Sequence, residues 1–189
     1  MKHAASRQLY AYWDERRGKR SAPERAEIEP GAIRHVLSDA FILALDSGAS
    51  HPFRLAGTRV CALFGHELKG ESFIGLWAAA SQPILCDLLA ILDQERVGTV
   101  AGVTARSNDG DPIELELLLL PLAANRPSLA RTIGVLAPVK IPAWLGVSPI
   151  GALTLGSRRH IGAEVETRLL PRFMASRRRH LTVYEGGRV

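Results

Sequence analysis

The apolar positions of this chain change period along its length. Over residues 4–17, AASRQLYAYWDERR, Ala5, Leu9, Tyr12 and Trp13 recur at helical spacing, while Arg7, Asp14, Arg16 and Arg17 fall largely on the other side. The pattern predicts a short amphipathic helix. Such a helix is marginal alone in water, so its aromatic stripe must lie on something, either the body of its own chain or a second copy. GKRSAPE reads as a linker and PGAIRHVL as one or two helical turns. FILALD (41–46) then reads as a buried strand, SGASHP as a turn and FRLAGT as a second strand. After this hairpin, VCALFG and ESFIGLW each give one or two helical turns, jointed at Gly65 and Gly70. A longer helix follows from about Ser81 to Glu95, with Ser81 as N-cap and Gly98 just past its end.

The second half alternates with period two. TVAGVTAR, the turn SNDGD and IELELLLLPLA make a strand, an Asp-Gly turn and a strand, and ARTIGVLAPVK returns after the loop ANRPS. In the middle run Ile113, Leu115, Leu117 and Leu119 point one way, and Glu114, Glu116, Leu118 and Leu120 the other. That second face begins polar and ends apolar, which makes it a seat for the N-terminal helix. The order predicts an α+β fold: a five-stranded antiparallel sheet with short helices on one face, plus the N-terminal helix and a C-terminal extension. Short helices with glycine joints can curve over the sheet and close a small interior. The expected division is 1–25 for helix and linker, 26–156 for the domain and 157–189 for the extension.

Composition narrows the class. The 189 residues carry a net charge of +5, divided as +4 over 1–25, −4 over 26–155 and +5 over 156–189, so a mildly acidic body has two basic ends. The longest uncharged runs, Ser72 to Cys86 and Ile141 to Ser157, fall short of the roughly 20 residues of a membrane helix. No secretory leader is read at the N-terminus, and Cys61 and Cys86 make no disulfide framework, so a cytoplasmic setting is expected.

FRLAGTRVCALFGHELKGESF resembles the strand-to-helix stretch of the PAS domain superfamily, and ARSNDGDPIELELLLLPL resembles its Asp-Gly hairpin with a following Pro-Leu. With LYAYWDERRGKRSAPERAEIEPGAIRHVL, the likeness narrows to small single-domain bacterial PAS proteins, found largely in alphaproteobacteria, over about residues 7–156. The resemblance implies a sensory or protein-interaction module, commonly dimeric, without catalysis. It also implies where cofactor-binding members carry their marks. A flavin photosensor carries an Asn-Cys-Arg-Phe segment where this chain has LFGHELKG, and a haem binder carries a His on the long helix where this chain has SQPILCDLLAILDQE. Neither mark is present, so no cofactor is expected, with flavin and haem both disfavoured.

Candidate chemistry is sparse. No nucleophile elbow or phosphate loop occurs, and Glu114 and Glu116 read as solvated strand carboxylates, so no enzyme activity is expected. No metal-ligand spacing is present. Residues expected to line an interior pocket for a small apolar ligand are Cys61, Phe64, His66, Phe73, Trp77, Leu89, Thr104, Leu117 and Ile133. Those expected at a homodimer or partner interface are Leu9, Tyr12, Trp13, Leu118 and Leu120. The reading is thus a non-catalytic sensory regulator acting through homodimerisation and contact with a signalling protein. A ligand or cofactor sensor is its first alternative. Nucleic-acid binding through the basic tail around Leu169, Leu170, Phe173 and Met174 is the second, and is not favoured.

Overall fold

A computed structural model describes residues 1–45, 50–123 and 131–162. Helix α1 (Ala4–Arg17) is followed by a single 3-10 turn at Arg25–Glu27 and by a run of tight turns over 29–40, where PGAIRHVL makes three-residue hydrogen-bonded loops rather than a helix. Strands β1 (Ala40–Ala44) and β2 (Phe53–Ala56) form the first hairpin. Helix α2 (Thr58–Phe64), a 3-10 turn at Ile74–Leu76 and helix α3 (Gln82–Glu95) come next. Then follow β3 (Gly98–Arg106), β4 (Pro112–Leu122), β5 (Arg131–Pro138) and β6 (Thr154–Ile161).

All ladders are antiparallel, in the order β2-β1-β5-β4-β3-β6. Strand β4 sits in the middle of this sheet and is buried on both sides from Leu115 onward. Ile113, Leu115, Leu117 and Leu119 join an inner core under α2 and α3, and Leu118, Leu120 and Leu122 join an outer core under α1. The alternation of side chains along a strand is what divides them. Gly134 in β5 is required by close packing: a Cβ there would stand 2.4 Å from Cζ of Phe41 and 2.6 Å from the carbonyl oxygen of Leu118.

The structure adds a sixth strand to the five expected. β6 pairs along the outer side of β3, with Thr99 opposite His160 and Val103 opposite Leu155, and it runs across position 156. Its sequence, TLGSRRHI, gives no apolar alternation because an edge strand with most side chains in water needs none. Ser81 is the N-cap residue of α3, but its hydroxyl makes no capping bond and instead accepts the backbone N–H of Leu155 at 3.0 Å. Helix α3 stops at Arg96, which adopts a left-handed φ of 55°, and Gly98 already belongs to β3. The apolar residues noted in the basic tail lie outside the described residues. Among the described residues no helix is long and apolar enough to cross a membrane.

Candidate functional site

The inner core is assembled by short elements whose ends are fixed by glycine and by backbone hydrogen bonds. Helix α2 starts at Thr58 and is closed after seven residues by Gly65, whose φ of 76° suits a residue without Cβ. It turns Val60, Cys61, Leu63 and Phe64 inward. The segment after β5 seals the side of this lid. Ile150 donates its N–H to the Leu63 carbonyl at 2.7 Å, and Leu153 exchanges backbone bonds with Leu76 and Ala78. Trp144 and Leu145 pack partly buried against the same core.

Four aromatic rings fill the middle. Phe41, Phe53 and Phe73 stand 5.7 Å from one another, and Trp77 meets Phe73 edge-on at the same distance. Trp77 is 2% exposed, and its indole Nε1 has no hydrogen-bond partner among the described residues. A buried donor in that state carries a desolvation cost that a ligand acceptor would relieve. Cys61 is buried in the same core, with long contacts from Sγ to the Ala56 carbonyl (3.9 Å) and Glu67 (3.7 Å). Burial, helped by Glu67, pushes the thiol above its ordinary value, so it stays protonated and is a poor nucleophile.

Of the nine pocket candidates, Cys61, Phe64, Phe73, Trp77, Leu89 and Leu117 come together in this core. Three do not. Ile133 lies on the opposite face, in the outer core, because it shares the parity of Val135 and pairs with Ile42. Thr104 is exposed on that same outer face, where it helps line a groove of about 560 Å³ with Gly102, Glu114 and Arg159. His66 is exposed in the turn after α2, with Nδ1 at 2.9 Å from the Phe64 carbonyl and Nε2 at 3.1 Å from Glu71. Both contacts favour the protonated ring, the Glu71 hydrogen bond most, and its pKa is raised.

The five interface candidates meet on the outer face, within one chain. Leu9, Trp13, Leu118 and Leu120 are buried together, and Trp13 Nε1 donates to the Pro121 carbonyl at 2.8 Å. Tyr12 is half-buried, donating from its hydroxyl to Glu27 O and accepting from the N–H of Glu29. The helix therefore folds back on its own sheet and uses up the stripe that was read as an interface.

Two buried carboxylates that tie elements of the fold together escaped the sequence reading. Glu116, read as solvated, is 6% exposed and accepts the backbone N–H groups of Lys2 (2.5 Å) and His3 (3.0 Å), so it holds the start of α1. Burial pushes its pKa up, but the N–H of Lys2, the Ser6 hydroxyl and the N–H of His3 outweigh this and hold it below the ordinary value. Asp39, 2% exposed, is held by Arg59 at 2.5 Å. The signal available for Glu116 was its place, next to Leu118 where the strand face assigned to the helix turns from polar to apolar. No cluster of side chains able to hold a metal occurs among the described residues.

A sheet of this order, with helices over one face and a helix strapped to the other, is an α+β architecture of the sensory-domain class. The chain belongs to the PAS domain family, whose model matches residues 1–137. No curated protein matches. Solved structures do: the blue-light photoreceptor Aureochrome1 LOV (17% identity, 58% of this chain and 87% of that one, TM-score 0.43), the Rhodobacter sphaeroides LOV protein (15%, 56% and 61%, 0.42) and an RNA-binding Light-Oxygen-Voltage receptor (14%, 62% and 35%, 0.45). The chain spans less than two thirds of the first RsLOV chains it matches, 63% and 66%.

These matches correct one expectation. Flavin was disfavoured because LFGHELKG lacks the photosensor segment, yet the similar solved structures are LOV photoreceptors, which bind flavin. The likeness is one of fold and assigns no flavin to this chain. What the interior presents is a cluster of four aromatic rings, packed mostly edge to face, and a Trp77 N–H without a partner among the described residues.

Proposed function

We propose that this chain is a non-catalytic sensory module whose inner core takes up a small, mainly apolar ligand bearing a hydrogen-bond acceptor. The observation that carries the reading is Trp77 Nε1, a buried donor without a partner among the described residues, on a ring that meets Phe73 edge-on in the aromatic cluster. On this reading the output leaves through α1. Strand β4 supports that route, since Leu117 and Leu119 line the receiving core while Leu118 and Leu120 carry the helix. A change in ring packing on one side shifts the seat of α1 on the other by way of one backbone. The downstream step is contact with a protein partner, either a second copy or a separate signalling protein, in the cytoplasm.

Native mass spectrometry of freshly purified protein, with an absorption spectrum of the same sample, tests this. Added mass on the wild type that is reduced in Trp77→Phe is the expected result. A bare chain that also fails to take up any compound from a panel of apolar molecules would sink the ligand reading. The same spectrum reports whether two chains associate.

A further inference from the structure

We propose that Asp39 and Arg59 lock helix α2 to the 28–38 segment, so that the lid of the inner core and the support of α1 move as one body. The use of this link, passing the state of the inner core to α1, rests on the ligand reading above. The link itself does not, and it is tested without a ligand.

Helix α2 has no side-chain cap. Its first turn is satisfied from the 28–38 segment, where the Ser38 carbonyl accepts the N–H groups of Arg59 at 2.9 Å and Val60 at 3.2 Å. Gly57, just ahead of the helix, donates to the Ala40 carbonyl at 2.8 Å and lies so close to the segment that a Cβ would stand 2.0 Å from the Leu37 carbonyl oxygen. Asp39 adds charge to this backbone joint. It is 2% exposed and paired with Arg59 of α2, while its Oδ1 has no hydrogen-bond partner among the described residues. Drawing α2 away would strand a buried carboxylate without its guanidinium, which is strongly destabilising, so joint movement is favoured over separation.

The two bodies joined here belong to different cores. Helix α2 turns Val60, Leu63 and Phe64 into the inner core, whereas Ile28, Ile33 and Val36 lie in the outer core with Leu9 and Trp13. The start of the segment also holds α1 directly: the Tyr12 hydroxyl donates to the Glu27 carbonyl at 3.1 Å and accepts the N–H of Glu29 at 3.0 Å. The Asp39 carbonyl accepts the N–H of Leu136 at 3.0 Å, which fixes the joint to β5. A displacement of α2 over the aromatic cluster therefore pivots at Asp39 and arrives at Tyr12. This connection does not pass through β4, which is hydrogen-bonded to a neighbour on each side.

Native-state hydrogen exchange of the full chain is the first test. The amides of Val36, Asp39, Gly57, Arg59 and Val60 should open with one common free energy and one denaturant dependence, below those of the β4 amides, as a single cooperative unit does. Separate openings for 36–39 and 57–60, or a common opening that coincides with β4, overturn the proposal. The second test follows a disturbance made on α2. Phe64→Leu should move the amide signals of Ile28, Ile33 and Tyr12 in the otherwise unaltered chain. In an Asp39→Ala, Arg59→Met background, which leaves no lone buried charge, those movements should fall by about twofold or more while those at Leu118 persist. Undiminished movement at Ile28 and Ile33 without the pair, or none with it, overturns the proposal. If circular dichroism shows that the double variant does not fold, the exchange pattern of the unaltered chain decides alone. Because neither measurement involves a ligand, a failure here is distinct from a failure of the ligand reading.

Discussion

Glu116 is buried next to Leu118 on the outer face of β4, and its carboxylate holds the backbone N–H groups of Lys2 and His3 just ahead of α1, beside the cap that His3 Nδ1 gives to the N–H of Ala5. Because the folded chain holds this group more acidic than the unfolded chain does, folded protein binds fewer protons. The stability it contributes is complete above the ordinary carboxyl range and is lost as pH falls through the lowered folded value. Glu116→Ala should cost about 2 kcal/mol at neutral pH, a fall in Tm of roughly 4–8 °C. Thermal melts of both proteins from neutral to strongly acidic pH check this, and the gap between them should close at the acid end. His66 behaves in the opposite sense. Its folded pKa is raised, chiefly by the Glu71 hydrogen bond, so its contribution is present below the ordinary histidine value and fades as pH rises through the raised one. An NMR titration should place His66 above an ordinary histidine, and Glu71→Gln should bring it back; an unmoved midpoint would show that the pair does not form in solution.

At the scale of elements, α1 is the part whose meaning changed between sequence and structure. Its existence, its stripe and its seat on Leu118 and Leu120 are all legible in the residue pattern. Whether the seat belongs to the same chain is not, because amphipathicity records that a face is covered without recording by what. The division of β4 between two faces was equally legible, since alternation is a property of strands. The same rule applied across the sheet misassigned Ile133 and Thr104, because the facing of one strand relative to another depends on pairing register, which periodicity within a strand does not contain. Strand β6 left no pattern at all, being an edge with most of its side chains in water. In the site, the apolar lining around Phe73, Trp77 and Leu117 was readable, whereas the anchoring role of Glu116 needs the tertiary approach of residue 2. Trp13→Ala should cost about 3–5 kcal/mol, through the lost ring and the abandoned Pro121 carbonyl. Urea unfolding is the measurement, and a loss below about 1 kcal/mol would mean that α1 is not seated as described.

For the whole molecule, β6 is the covering of an otherwise bare nine-residue edge, Gly98–Arg106. Ending the chain after Lys140 should uncover that edge together with the side of the inner core now closed by Ile150 and Leu153. Light scattering should then report association that grows with concentration, while the full chain scatters as a defined species. The strap across the outer face has a further consequence in time. Trp13 meets Pro121 across 108 residues of sequence, and Lys2 meets Glu116 across 114. At ribosomal speeds of about 5–20 residues per second, the stripe of α1 waits roughly 5–20 seconds for its sheet to be made. During that interval Leu9, Tyr12 and Trp13 are bare on a nascent chain, and a chaperone that shelters short amphipathic helices has its opportunity then rather than after release.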